Sequence, residues 1–319
     1  MSPSFPPDLP GLSEWRLPVA GGHLAGVDNA SNGPNILFVH SAGFSSMTWA
    51  RVIEHLPDMR CVAVDLRGHG HSEAPLLDAE NAWRDIPYIV QALGLTDPVL
   101  VGHDTGAFAV MCAAADRPGL ARAVVAIDAD LPFTERVQLQ ADFDWAQTPE
   151  VTQLIRERFR FGEVLHTEAE FEELVHALTE QCVDDWLLEG VDSAIEAEVR
   201  RSMLPRPDGT WLHGPAVEAA VIGYRIDIDA EYYPTADLYE RIGDPLHMVR
   251  YLRSPNAQPP VPYLELARRL GTMRVHDIDG GHLAHYSHAD ELASIIRGAV
   301  RGEARSIHRS AHHARRRAG

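Results

Sequence analysis

A chain of 319 residues, 45% hydrophobic and 23% charged, is long enough to bury one large core plus a sizeable insertion. Its net charge of -18 disfavours any anionic partner, so neither a nucleic acid nor a membrane surface is expected to bind. Cys61, Cys112 and Cys182 are widely spaced and odd in number, which excludes a disulfide framework and suits buried thiols in a reducing, cytoplasmic setting.

The opening residues lack a basic segment followed by an apolar run, so no secretory signal is expected. No window approaches the ~20 apolar residues of a membrane span. Residues 1–14 are rich in proline and read as an irregular arm. EWRLPVAGGHLAGVDNA then predicts a hairpin turning at Gly21-Gly22. NILFVH (35–40) is a short continuous apolar run, as expected of a strand covered on both faces. The helix-like TWARVIEHL follows, then a strand RCVAVDL (60–66), a helix NAWRDIPYIVQALG (81–94) and a strand DPVLVGH. A helix AFAVMCAAADR (107–117) and a strand ARAVVAID (121–128) complete the series. Such alternation implies right-handed crossovers and a largely parallel sheet.

The alternation breaks at about Leu131. From there to about Gly243 the pattern is helical and acidic, as in PEVTQLIRERF, EAEFEELVHALTEQCV and SAIEAEVRRSM, with a turn signal at PRPDGTW. Strands resume with DPLHMVRYL (244–252) and MRVHDID (273–279), and HADELASIIRGAV (288–300) predicts a last helix. The expected organisation is an arm (1–14), an α/β core (15–130 and 244–301), a helical lid (131–243) and a basic, disordered tail (302–319).

VGHDTGAF (101–108) joins the end of a buried strand to an apolar helix through Gly-x-Asp-x-Gly, the pattern of a sharp strand–turn–helix elbow with Asp104 at its tip. Three other motifs also follow strands: HSAGFSSMTW (40–49), DLRGHGHS (65–72) and GGH (280–282). Together the four resemble the α/β-hydrolase superfamily over about residues 15 to 300. GHDTGA looks like the elbow of its aspartate-nucleophile branch, the epoxide hydrolases and haloalkane dehalogenases. The resemblance implies a mostly parallel central sheet flanked by helices, with a helical cap inserted after the sixth strand.

A carboxylate needs no deprotonation at neutral pH, its unperturbed pKa being ~3.9. Backside displacement at a tetrahedral carbon would give an alkyl ester on Asp104, which activated water then hydrolyses. A carboxylate that merely caps the following helix is the plainer alternative. The resemblance makes His282 the base that activates the water. The stretch after HMVRYL, RSPNAQPPVP, carries no carboxylate, so the acid that orients His282 is assigned to Asp128, with Asp130 as the fallback. The oxyanion hole is assigned to the backbone N–H groups of Thr105 and Ala42. Ser41 and Gly43 depart from the glycine and proline common at those positions.

A departing halide wants side-chain N–H donors where this chain has Thr105 and Ala42, which favours an opening oxirane instead. Its oxygen needs O–H or N–H donors, assigned to Trp186 and to Tyr224 or Tyr251, with His40 and His103 as further candidates. The spacing of His282, His285 and His288 does not suit a metal site, and DLRGHGHS lacks the Lys-Ser/Thr ending of a phosphate loop. The expectation is a cofactor-independent epoxide hydrolase acting on a bulky, partly aromatic small molecule such as a secondary metabolite. A dehalogenase and a non-catalytic ligand-binding protein are the alternatives, and whether the chain forms a homodimer is left open.

Overall fold

The computed structural model describes residues 11–129, 131–184, 191 and 193–302. It opens with the expected hairpin: β1 (Ser13–Val19) and β2 (Gly22–Asp28) pair antiparallel, with Val19 opposite Gly22. β3 (Asn35–Val39), the short α1 (Ala50–Glu54), β4 (Arg60–Asp65), α2 (Asn81–Ala92), β5 (Val99–His103), α3 (Thr105–Asp116) and β6 (Ala123–Ile127) follow in strict alternation. Continuous runs such as VLVGH and AVVAI are buried along their whole length, as parallel strands covered on both faces require. The Ala-rich α3 presents small side chains, so it packs closely on the sheet and is itself almost wholly buried.

The segment between β6 and the next core strand holds α4 (Arg136–Ala146), α5 (Pro149–Phe159), β7 (Val164–Leu165), α6 (Glu168–Asp184), α7 (Glu196–Arg201), β8 (Met203–Pro205), β9 (Trp211–His213), α8 (Val217–Ala220) and α9 (Leu238–Arg241). The lid was expected to be helical throughout, and here the structure differs. β7, β9 and β8 form a small antiparallel sheet, with the PRPDGTW turn closing the hairpin from Pro205 to Trp211. Strands of two or three residues are too short to show a period-2 alternation in sequence. Leu174, Leu178, Ile195 and Val199 of this segment pack on Leu283 and Tyr286 of the core.

β10 (Leu246–Tyr251), α10 (Pro260–Leu270), β11 (Met273–Ile278), α11 (Ala284–Ser287) and α12 (Ala289–Arg301) return the chain to the core. The main sheet has the order β1-β2-β4-β3-β5-β6-β10-β11, parallel from β4 onward. From β3 the chain first goes outward to β4 and then back across to β5. That reversal opens a crevice at the carboxyl ends of β3 and β5, where a sheet of this kind binds its ligand. No helix among the described residues is long and apolar enough to cross a membrane.

Candidate active site

Asp104 stands in that crevice between β5 and α3, at φ 50° and ψ -114°. A side chain in that region stores on the order of 1–3 kcal/mol of backbone strain. The neighbours make it attainable. A Cβ on Gly102 would lie 2.3 Å from the Gly106 carbonyl oxygen, and one on Gly106 would lie 2.4 Å from the carbonyl oxygens of Val39 and His40. Only glycine lets the elbow approach β3 so closely. The strain is pinned by the Asp104 N–H donating to the Ile127 carbonyl at 2.8 Å.

Among the described residues, two side chains hold the Asp104 carboxylate. The Ser41 hydroxyl donates to Oδ2 at 2.6 Å, and the Asn256 amide donates to Oδ1 at 3.2 Å. Burial works to raise its pKa. The His282 ring, the Ser41 hydroxyl and the Thr105 N–H outweigh burial and hold it below the usual range, so Asp104 is a carboxylate at neutral pH.

The structure brings His282 and Asp128 to the same place. His282 Nδ1–H donates to Asp128 Oδ2 at 2.6 Å, which leaves Nε2 as the nitrogen able to meet a ligand. Ser254 donates to the same Oδ2 at 2.6 Å. Burial pushes the Asp128 carboxyl up to about 6, against the pull of His282 and Ser254. Burial also lowers the His282 pKa, but its bond to Asp128 and the nearby Asp104 charge raise it above the ordinary histidine value overall. His103, Asp128 and His282 have ligating atoms close enough to suggest a metal set. However, the 2.6 Å between Nδ1 and Oδ2 is a charge-assisted hydrogen bond, too short for two ligands each ~2 Å from one ion at a tetrahedral angle.

The other expected residues divide. The Ala42 N–H, assigned to the oxyanion, donates instead to the Thr105 hydroxyl at 2.7 Å, while the Thr105 N–H faces the Asp104 carboxylate. Tyr224 lines the cavity beside Asp104. Contrary to the expectation that they donate to a ligand, His40, His103 and Tyr251 line neither lobe of that cavity. His40 is buried between two loops, with Nδ1–H donating to the Ser41 carbonyl and Nε2 accepting from Leu66 N–H, and burial drops its pKa to about 4. His103 Nε2–H is spent on the His282 carbonyl at 2.8 Å, and burial lowers its pKa to about 3. Tyr251 is fully inside the core, its hydroxyl without a hydrogen-bond partner among the described residues. Trp186 and Asp130 lie outside the described residues.

Sequence reasoning missed Ser41, Ser254 and Asn256 as side chains of the site. Ser254 and Asn256 sit in the loop after β10, RSPNAQPPVP, which carries no carboxylate. Polar residues there were the available signal. Above Asp104 the cavity has two lobes, of about 370 and about 460 Å³, which share Ala42, Asp104 and Tyr224 in their walls. Both lobes are largely apolar. Leu154, Phe159, Phe161, Leu178, Ile195 and Val199 wall one of them, with His282 at its edge. Phe108, Leu131, Leu139, Phe143 and Ile226 wall the other.

Comparison with known proteins fits this architecture. The family model described as alpha/beta hydrolase fold matches residues 34–289. A haloalkane dehalogenase of Mesorhizobium japonicum is 30% identical over 145 residues, 43% of this chain and 47% of its own length. An epoxide hydrolase of Caballeronia sordidicola is 33% identical over 132 residues, 40% of this chain and 39% of its own. These matches span less than half the length of either relative. Among solved structures, E-2-(acetamidomethylene)succinate hydrolase superposes with a TM-score of 0.67 at 20% identity, covering 91% of this chain and 99% of that one. An epoxide hydrolase of Bacillus megaterium superposes with a TM-score of 0.63 at 18% identity, covering 90% and 100%. With the family model spanning the elbow, the histidine loop and everything between them, the chain belongs to the α/β-hydrolase family.

Proposed function

We propose that the protein is a hydrolase that opens an oxirane through an ester on Asp104, with residues 131–243 acting as the cap over the site. The observation that carries this reading is a carboxylate, not a hydroxyl, at the strained elbow, in one cavity with His282 and Tyr224. Asp104 displaces the oxirane oxygen from carbon, and the C–O bond that breaks leaves an alkoxide. Tyr224 is a donor for that oxygen. Burial and the Asp104 charge push its phenol up to about 12, so its proton stays in place at neutral pH. His282 Nε2 then removes a proton from water, the hydroxide attacks the ester carbonyl, and Asp128 steadies the imidazolium that forms. Only water is consumed, so no cofactor is called on. The apolar lobes suit a bulky, partly aromatic molecule.

The Asn256 amide beside Asp104 favours a second reading, since it could hold a departing halide. The dehalogenase relative points the same way.

Intact-mass measurement with an aryl-substituted oxirane tests the scheme. His282→Ala should accumulate a protein adduct heavier by the mass of the oxirane, and Asp104→Asn should show neither adduct nor turnover. Turnover that survives in Asp104→Asn would sink the reading. Halide release from an alkyl halide, with no diol formed from any oxirane, would replace it with the second.

A further inference from the structure

We propose that Glu198 is the acid of this site, giving its proton to the oxirane oxygen as the carbon–oxygen bond breaks. The inference rests on the ester reading above and adds a group that no sequence motif marks.

Glu198 lies in α7, is only 4% exposed, and forms part of the wall of the lobe that also holds Asp104, His282 and Tyr224. A carboxyl group in an apolar wall is costly unless it is paired or neutral. Glu198 has no ion pair among the described residues. Arg201, one turn further along α7, is the cation in position to neutralise it, but Arg201 directs its guanidinium to Asp65 at 2.7 Å and to Glu14 at 2.8 Å. What Glu198 has is the Ser45 hydroxyl, 2.7 Å from Oε2. The Ser45 hydroxyl donates to that oxygen while accepting the Met47 N–H at 3.2 Å, and the Ser45 N–H is a second donor to the carboxyl group. With Ser45 donating to Oε2, the acid proton of Glu198 is carried on Oε1.

The surrounding charges agree. Burial, and then the neighbouring Asp65 carboxylate, favour the neutral form against Ser45 and Arg201, and push the group up to about 8. The other titratable or charged side chains of the lobe are Asp104, His282, Tyr224, Arg158, His213 and Cys182. At neutral pH Glu198 is therefore a carboxylic acid whose pKa lies much nearer the working pH than the Tyr224 phenol, which is the better match for proton transfer. Tyr224 holds the oxygen and Glu198 supplies the proton.

The step balances. The Asp104 oxygen bonds to carbon, the oxirane C–O bond breaks, and the alkoxide takes the Glu198 proton. The proton that His282 later removes from water returns through solvent to the Glu198 carboxylate. The net change is one water added to one oxirane.

The test follows ester formation and ester hydrolysis separately, by single-turnover kinetics across pH. In the wild type, ester formation should fall as pH rises through about 8. Glu198→Gln, which can hold the oxygen but not protonate it, should lose that alkaline limb and slow ester formation by about 10²-fold with little change in KM. Glu198→Ala should be slower still. Ser45→Ala leaves the carboxyl in place but removes a donor to its ionised form, so the limb should move to higher pH. A merely structural Glu198 would move none of these limbs. Should Glu198→Gln fold poorly in a thermal melt, the Ser45→Ala shift decides. Glu198→Gln with the wild-type rate and limb, while His282→Ala still accumulates ester, overturns this role and leaves the ester reading intact. Absence of ester in His282→Ala with every oxirane tried overturns both.

Discussion

The Ala42 N–H donates to the Thr105 hydroxyl at 2.7 Å, so one of the two backbone donors assigned to the oxyanion is already occupied by a neighbouring side chain. In the proposed ester scheme, Ser41 is placed to take up that function. Its hydroxyl is 2.6 Å from Asp104 Oδ2, the oxygen that would carry negative charge when water attacks an ester formed through Oδ1. Ser41→Ala should therefore slow ester hydrolysis by about 10²-fold, the usual loss for one oxyanion donor. Ester formation should be unharmed or faster, because the free carboxylate loses a stabilising bond. Burst amplitude measures the split: accumulation of ester should rise in Ser41→Ala, and equal slowing of both steps would contradict the assignment.

Tyr224 separates the two leaving groups. An alkoxide needs a hydrogen-bond donor far more than a halide ion does, because it is the stronger base. Tyr224→Phe should slow ester formation from an oxirane by about 10- to 100-fold, the loss expected for one hydrogen bond to a charged oxygen. Ester hydrolysis, which does not use the phenol, should keep its rate. A variant that turns over oxiranes at the wild-type rate would remove Tyr224 from the chemistry.

What was legible in the sequence was local. β3, β5 and β6 announce themselves as continuous apolar runs because a strand buried on both faces has no polar side to show. Asp104 is legible because Gly102 and Gly106 flank it, and those glycines answer to close backbone approach. The end of an apolar strand likewise pointed to Asp128. Contacts made across the fold left no such trace. Ser254 meets Asp128 from 126 residues away and Asn256 meets Asp104 from 152, and nothing in a single sequence couples such positions. Tyr251 misled for a related reason. An aromatic near the end of β10 could face the crevice or the core, and in a fully covered strand both faces look alike.

Under the proposed scheme, the Ser254 hydroxyl should set the acidic side of the pH profile of ester hydrolysis. Asp128 must be ionised to hold the His282 imidazolium, and burial has already moved it up to about 6. Ser254→Ala removes a donor to the ionised form, which raises that value further. A raised carboxyl protonates at a higher pH on the way down, so the acidic limb of ester hydrolysis should shift upward, with the rate above pH 8 close to the parent's. Titration of the buried pair is shared, so the limb reports Asp128 and His282 together. A limb that stays in place would show that Ser254 only fills space.

His282 should titrate differently before and after ester formation. Part of what raises its pKa in the free enzyme is the Asp104 charge. Esterification removes that charge, so the pKa falls back and the neutral base becomes more abundant when water has to be activated. The midpoint for ester hydrolysis should therefore lie below the His282 midpoint read by NMR in the unreacted protein. A midpoint that is equal or higher would mean that Asp104 keeps its charge through the reaction, which no ester at that position allows.

Arg201 joins α7 to the core through a carboxylate that has no access to water. Asp65 is fully buried, and Arg201 reaches it through Nε and Nη2 at 3.1 and 2.7 Å. Burial would raise the Asp65 pKa, yet Arg201 and the Ser46 N–H bring it down to about 2. Removing the cation alone strands a buried charge, so Arg201→Ala should destabilise the protein by roughly 3 kcal/mol or more. A depressed carboxyl contributes stability above its unfolded pKa of ~3.9 and loses it as pH falls towards 2. The gap between wild type and Arg201→Ala should thus narrow as pH falls from neutral towards 2, starting above pH 4, where the variant's Asp65, raised by burial with no cation to oppose it, takes up a proton. Thermal melts at pH 7 and pH 4 measure both values. The double change Asp65→Asn with Arg201→Met should recover part of the loss, since it removes both charges together. A penalty independent of pH would place the effect of Arg201 in packing and not in its charge.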